Sequence, residues 1–253
     1  MSLDVGEALL LAGAGFLAGG VNAVAGGGSL ISFPALLAVG YPSVSANVTN
    51  TVSVLPGYAG GAYGYRRELK GQGDHLRRLA PVSVLGAVVG AVLLLTTSSD
   101  AFDVIVPFLV ALASLLLLAQ PRIQRWVLSR PHDGFARSGG ALVLSTFVAA
   151  TYGAYFGGGL GVVLLAVLGM FLAGDLQRTN ALKSALTLTI NLVAMVAFAL
   201  FGPVQWVAVA IMAPASLIGG WAGAQVARRL PANVLRATVA AFGFVVAVVL
   251  LVR

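Results

Sequence analysis

Two glycine triplets carry the most suggestive chemistry in this chain: Gly26-Gly27-Gly28, followed by Ser29, and Gly157-Gly158-Gly159. Each lies between two apolar runs, where three consecutive glycines stop one helix and let another begin. A helix start leaves its first N–H groups without intrahelical partners, and together with the helix dipole they attract anions. Glycine lets a ligand approach the backbone closely, while Ser29 can cap the helix or donate its hydroxyl to an oxyanion. Two such starts meeting from opposite membrane faces would form a cradle for a small anion. The competing reading is close helix packing, the role expected of Gly15-x-x-x-Gly19, Gly86-x-x-x-Gly90 and Gly219-x-x-x-Gly223.

Uncharged amides and hydroxyls form a second group: Asn22, Asn47, Thr49, Asn50 and Asn180. They can bind an oxyanion without trapping it as a full charge would, or they can cap helices and bond between them. Lys183 is the one lysine assigned to an apolar segment. It is either an intramembrane anion ligand or a side chain that snorkels to the nearby headgroups. Arg178 reads as a loop residue. Tyr152, Tyr155 and Phe156 beside the second triplet could wall a cavity or simply pack. Tyr58, Tyr63 and Tyr65 precede a basic loop and read as interfacial anchors. The acidic residues, Asp175 among them, map to termini or loops, so no proton carrier is evident.

The elements that must hold these residues follow from composition. The chain has 253 residues, 59% hydrophobic and 9% charged, with a mean hydropathy of +0.97. A soluble domain carries about 25% charged residues, so this composition indicates an all-α polytopic membrane protein. The net charge of +7 comes from short basic clusters between apolar segments, which set orientation and do not point to nucleic acid. Cysteine is absent, which excludes thiolate metal sites and cysteine nucleophiles; no metal or cofactor is expected. Met1–Glu7 lacks the basic region of a cleavable signal peptide, so the first segment is expected to be retained.

Ten apolar segments can be drawn, at roughly 5–25, 28–40, 44–65, 79–97, 102–119, 138–156, 159–172, 180–201, 204–226 and 232–252. The second and seventh are only about 13 residues, hence about 20 Å long against a bilayer core of about 30 Å. The expectation is about eight full transmembrane helices plus two glycine-broken half-helices. Pro56, Pro107 and Pro214 sit inside segments and can kink them. Basic loops carrying Arg66, Arg67, Lys70, Arg77 and Arg78, then Arg122, Arg125, Arg130 and Arg137, then Arg228 and Arg229 are placed in the cytoplasm. The loop with Asp100 and Asp103 is placed outside.

Gly157 follows Gly26 by 131 residues, and Asn180 follows Asn47 by 133. Each half therefore has an apolar helix, a glycine break, a short helix, a loop and an Asn-bearing helix start. Five segments per half reverses the entry side, so an inverted-topology repeat is expected. The expected organisation is one membrane domain, 1–253. Its repeats span about 5–120 and about 138–253, joined by a basic cytoplasmic loop at about 121–137.

The run Gly15, Gly19, Asn22, Ala25-Gly26-Gly27-Gly28-Ser29-Leu30, Pro34, Pro42 and Ala46-Asn47-Val48-Thr49-Asn50 resembles the first half of the TauE/SafE family. Gly157-Gly158-Gly159 and Arg178-Thr179-Asn180-Ala181-Leu182-Lys183 resemble its second half, although Leu160-Gly161 replaces the Ser-Leu of the first break and no proline follows. The resemblance implies export of small sulfur oxyanions or organosulfonates across the cytoplasmic membrane.

The functional expectation is a secondary transporter for a small anion, with the bilayer as its other partner. The expected ligands are Gly26, Gly27, Gly28, Ser29, Asn22, Asn47, Asn50, Gly157, Gly158, Gly159, Asn180 and Lys183. An anion channel on the same half-helices is the alternative. Enzyme chemistry is not expected: His75 and His132 both lie in basic loops, and no pair of embedded carboxylates exists. Small-residue helix faces permit a homodimer or packing within one chain.

Overall fold

The computed structural model describes residues 3–24, 26–129, 139–172, 176–226 and 232–252. Arg130, His132, Asp133, Arg137, Asp175, Arg228 and Arg229 lie outside them. The described residues form ten helices and no strand: α1 (Val5–Val24), α2 (Ser29–Ala38), α3 (Ser43–Gly64), α4 (Gly73–Thr96), α5 (Ser99–Ser129), α6 (Gly139–Tyr155), α7 (Leu160–Phe171), α8 (Leu176–Phe201), α9 (Trp206–Val226) and α10 (Ala232–Val252).

Six of these, α1, α4, α5, α8, α9 and α10, are long and apolar enough to cross a membrane. Helix α6 has 17 residues, about 26 Å of rise. Helix α3 has the length, but its first half carries Ser43, Ser45, Asn47, Thr49, Asn50, Thr51 and Ser53, all buried. The two short helices flank the breaks as expected, with 10 residues in α2 and 12 in α7.

Three boundaries differ from expectation. Helix α4 starts at Gly73, so His75, Arg77 and Arg78 are helical, and α8 starts at Leu176, so Arg178 is helical and not a loop residue. Helix α5 continues to Ser129, so Arg122 and Arg125 are helical and not part of a loop. Pro121 is accommodated inside this helix. Pro56, Pro107 and Pro214 also lie within helices.

Apolar side chains divide between an inner core and an outer surface. Leu85, Val88 and Val92 on α4, and Phe108, Leu112 and Leu115 on α5, are exposed at helical spacing. Such stripes are what a lipid-facing surface requires. The short helices are enclosed: Leu30, Phe33 and Leu36 of α2 and Leu160, Leu164 and Leu168 of α7 are fully buried.

Glycine sets the closest helix contacts. An added Cβ at Gly15 would lie 2.8 Å from the Met212 carbonyl oxygen, and one at Gly19 or Gly219 would overlap the carbonyls of Ser216 or Phe16. Thus α1 and α9 run side by side in the same direction. Gly86 and Gly90 of α4 meet Phe147 and Thr151 of α6 in the same manner. These GxxxG pairs serve packing, as the sequence suggested.

The helix contacts repeat with a shift of five. Helix α1 packs on α9 as α6 packs on α4; α3 packs on α9 as α8 packs on α4; α2 packs on α10 as α7 packs on α5. Helix α5 also packs on α10, and α3 on α8. Hydrogen bonds fix the ends. Gln72 Nε2 donates to the Arg178 carbonyl at 2.9 Å, joining the N-cap of α4 to the start of α8. Ser45 Oγ donates to the Pro203 carbonyl at 2.7 Å, joining the start of α3 to the end of α8.

Candidate functional site: a cavity between two broken helices

The two glycine breaks share a backbone design. Gly26, at φ +67°, donates to the Val21 carbonyl at 3.0 Å, and Gly157, at φ +81°, donates to Tyr152 at 3.4 Å. Both bonds span five residues and end the preceding helix. Each following helix then starts on the third glycine: Ile31 and Ser32 donate to the Gly28 carbonyl, while Val162 and Val163 donate to Gly159. A positive φ favours glycine because a Cβ would crowd the following carbonyl.

Both breaks border one cavity of about 300 Å³. Gly26 and Gly27 contribute from the first, and Gly157, Gly159 and Gly161 from the second. Asn22, Asn180 and Lys183 also line it. Seven of the expected site residues therefore come together: Asn22, Gly26, Gly27, Gly157, Gly159, Asn180 and Lys183. Lys183 Nζ donates to Asn180 Oδ1 at 3.1 Å, so the ammonium is held beside the cavity by a neutral acceptor.

The other five do not line it. A Cβ on Gly28 would overlap the Ala18 carbonyl of α1, so Gly28 serves packing. Ser29 is the first residue of α2 and is buried, and no side chain caps that helix from its N-cap position; the expected serine cap is replaced by Asn22. Gly158 lies against Phe156 and Ala113, and its carbonyl accepts the Tyr152 hydroxyl. Asn47 Nδ2 donates to the Tyr155 carbonyl at 2.8 Å. Asn50 Oδ1 accepts from Ser32 Oγ.

The breaks differ in what their amides bond. Asn22 Oδ1 accepts from the N–H groups of Gly27 at 3.1 Å and Gly28 at 2.8 Å. This side chain caps the start of α2 from the preceding helix. At the second break Gly159 is the N-cap, at φ +74°. The Gly159 and Gly161 N–H groups have no hydrogen-bond acceptor among the described residues. A Cβ added to Gly161 would meet only Lys183 Cδ, at 4.0 Å. The start of α7 thus presents its positive end to the cavity beside a lysine.

Sequence reasoning missed several lining residues. Arg236 on α10, Gln120 and Gln124 on α5, and Thr187 on α8 all border the cavity. Arg236 Nε donates to Gln120 Oε1 at 3.0 Å. Arg236 and Lys183, from different helices, are close enough to repel. Thr187 is only 6% exposed, yet among the described residues its Oγ1 has no hydrogen-bond partner. A break in apolar periodicity was the available signal for Gln120, Gln124 and Arg236, but it does not say which neighbour a polar residue faces.

Tyr58 and Tyr65 also border the cavity and are not merely interfacial anchors. Burial, and then the Glu68 carboxylate, push the Tyr65 phenol above its usual range, so it remains a neutral donor. Tyr63 has the expected exposed position, with the Arg66 guanidinium 4.2 Å from its ring centroid. The lining residues come from the ends of α3 and α5 and the starts of α8 and α10, so the cavity lies toward the end of the bundle that carries the α3–α4 basic turn.

The sequence profile of the family described as "Sulfite exporter TauE/SafE" matches residues 11–250. A probable membrane transporter protein of Haemophilus influenzae is 27% identical over 251 residues, covering 96% of this chain and 94% of that protein. The probable membrane transporter protein YfcA of Escherichia coli K12 is 28% identical over 220 residues, covering 85% of this chain and 77% of its own length. A third, the probable membrane transporter protein ORF9 of a Sinorhizobium species, is 27% identical over 231 residues, covering 88% and 84%. No solved structure matches the chain. With the family profile covering nearly its whole length and six helices suited to crossing a bilayer, this chain belongs to the TauE/SafE family and is a multi-pass protein of the cell membrane.

Proposed function

We propose that the chain is a secondary transporter that exports a small oxyanion, such as sulfite or an organosulfonate, through the cavity at the two glycine breaks. One observation carries this reading: the open start of α7, Lys183 and the Thr187 hydroxyl, which has no partner among the described residues, converge on a single cavity. Buried donors without partners are costly, about 1–3 kcal/mol each, and an anion satisfies them. A helix start and a neighbouring ammonium stabilise negative charge together. Tethering Lys183 to an amide and not to a carboxylate leaves its charge available to a ligand.

Alternating access between two inverted repeats is the transport mechanism in this reading. The shift-by-five contact pattern supports it. So does direction: α1 runs parallel to α9, and α6 runs parallel to α4. Because the start of α3 meets the end of α8 while the starts of α4 and α8 meet each other, α4 and α9 point oppositely, and so do α1 and α6. Each half would then contribute four crossings and one half-helix, with the cavity facing the cytoplasm under the positive-inside rule.

The test is sulfite flux in proteoliposomes containing the purified chain, with sulfate, sulfoacetate and chloride as competitors, at two pH gradients. Saturable flux blocked by a sulfonate is expected. Folded protein that moves none of these anions would remove the oxyanion assignment. Single-channel currents or flux without saturation would replace the transporter with a channel on the same site.

A further inference from the structure

Helix α3 joins two cavities. Its later half, at Gly57, Tyr58 and Ala62, borders the cavity described above. Its first residue, Ser43, borders another of about 540 Å³ at the opposite end of the bundle, together with Tyr41, Pro42 and Asp103. Ser43 and Gly57 are separated by about 21 Å of helix. Between them Asn47 and Asn50 continue the spacing i, i+4, i+7, i+14, which is one face of a helix. Ser53 lies one position off that line.

This stripe is buried and polar: Ser43 is 4% exposed, Asn47 1%, Asn50 1% and Ser53 0%. Among the described residues, Ser43 Oγ, Asn47 Oδ1 and Ser53 Oγ have no hydrogen-bond partner. A helix whose only task was packing would carry apolar side chains here, since unpaired buried polar atoms destabilise the fold. With Ser43 and Asn47 on the line between the two cavities and Ser53 beside it, such atoms suit a hydrated permeant that supplies the missing bonds.

We propose that this face of α3 is the translocation path between the two cavities, and that Tyr155 and Phe156 close its outer half. This rests on the transporter reading above. Asn47 is bonded to the Tyr155 carbonyl. The Phe156 ring meets Phe33 edge-on, with centroids 5.9 Å apart and planes at 84°. Tyr155 is wedged beside Phe102 at 5.8 Å, and its hydroxyl lies 3.4 Å from Thr97 Oγ1. Both closing residues lie at the end of α6, immediately before the second break, so movement there would uncover Asn47. Asn47 and Asn50 would then meet the substrate along the path and not in the inner cavity.

The chain contains no cysteine, so single cysteines can be read without background. S43C, N47C and S53C lie on or beside the stripe; V44C and V48C are buried residues off it. Each would be treated, from either side of oriented membrane vesicles, with a membrane-impermeant thiol reagent bearing a sulfonate. The expected result is reaction at the stripe at least about tenfold faster than off it, with F156A further increasing outside access to N47C. Equal, slow reaction on and off the stripe, with and without F156A, would overturn the path. S43C and S53C are near-isosteric and keep the test decisive if N47C fails to fold. Labelling needs no transported substrate, so the two readings fail separately. Sulfite flux without preferential labelling removes the path and leaves anion transport. Preferential labelling without flux supports the path and removes the anion class.

Discussion

The two glycine triplets are spelled alike, but their N-caps differ, Gly28 right-handed and Gly159 left-handed, and so does the bonding of their amides. At the first, Asn22 takes the Gly27 and Gly28 N–H groups, and the Gly28 backbone is pressed against α1. At the second, the residue equivalent to Asn22 is Gly153, where an added Cβ would lie 2.6 Å from Leu160. Gly153 offers no side chain to cap α7, so the Gly159 and Gly161 amides open onto the cavity beside Lys183. A repeated motif can therefore be a staple in one half and a binding surface in the other, depending on one neighbouring side chain.

The largest effect should come from the packed glycine. Gly28→Ala drives a Cβ into the Ala18 carbonyl, and helix backbones cannot yield as side chains do. We expect destabilisation of about 3 kcal/mol or more, visible as loss of the folded peak on size exclusion. A well-folded G28A protein would show that the first break is not tightly packed.

Next comes the charge at the second break. Lys183→Gln should weaken sulfite half-saturation about 10- to 100-fold, corresponding to about 1.5–3 kcal/mol for a hydrogen bond to a charged group. Unchanged half-saturation in saturable flux would remove Lys183 from the site. Asn22→Ala uncaps α2 and should cost about 1 kcal/mol of stability, read as a lower melting temperature. No change in melting would mean that water caps those amides equally well.

The smallest and most discriminating change is Gly161→Ala. The site is open and φ is not positive, so the fold should keep its stability or gain up to about 1 kcal/mol from helix propensity. The methyl group would crowd the open start of α7, so anion affinity should fall by less than about tenfold. A drop in stability without a change in affinity would reverse the roles assigned to the two breaks.

Much of this was legible locally. Triplet glycines end helices wherever they occur, so the breaks and both short helices could be placed before any tertiary contact was known. Lys183 and Asn180 were readable because a cation and an amide stand out in an apolar segment. The end of α5 was not, because the apolar run stops near residue 119 while the helix continues through Arg122 and Arg125 to Ser129. Arg236, Gln120 and Thr187 were missed for another reason. They come from three helices far apart in sequence, and periodicity does not reveal which partner a helix faces.

Composition and glycine spacing by themselves determined a helical membrane protein, two interrupted helices and a repeat of local motifs, because apolar length and backbone freedom are local properties. Only the tertiary structure decided that Asn22 closes one helix start while α7 keeps the other open. It also separated the asparagines, placing Asn22 and Asn180 on the cavity and Asn47 and Asn50 in the buried wall of α3. The direction a polar side chain takes depends on which helix packs against it, and that is a property of the assembled bundle.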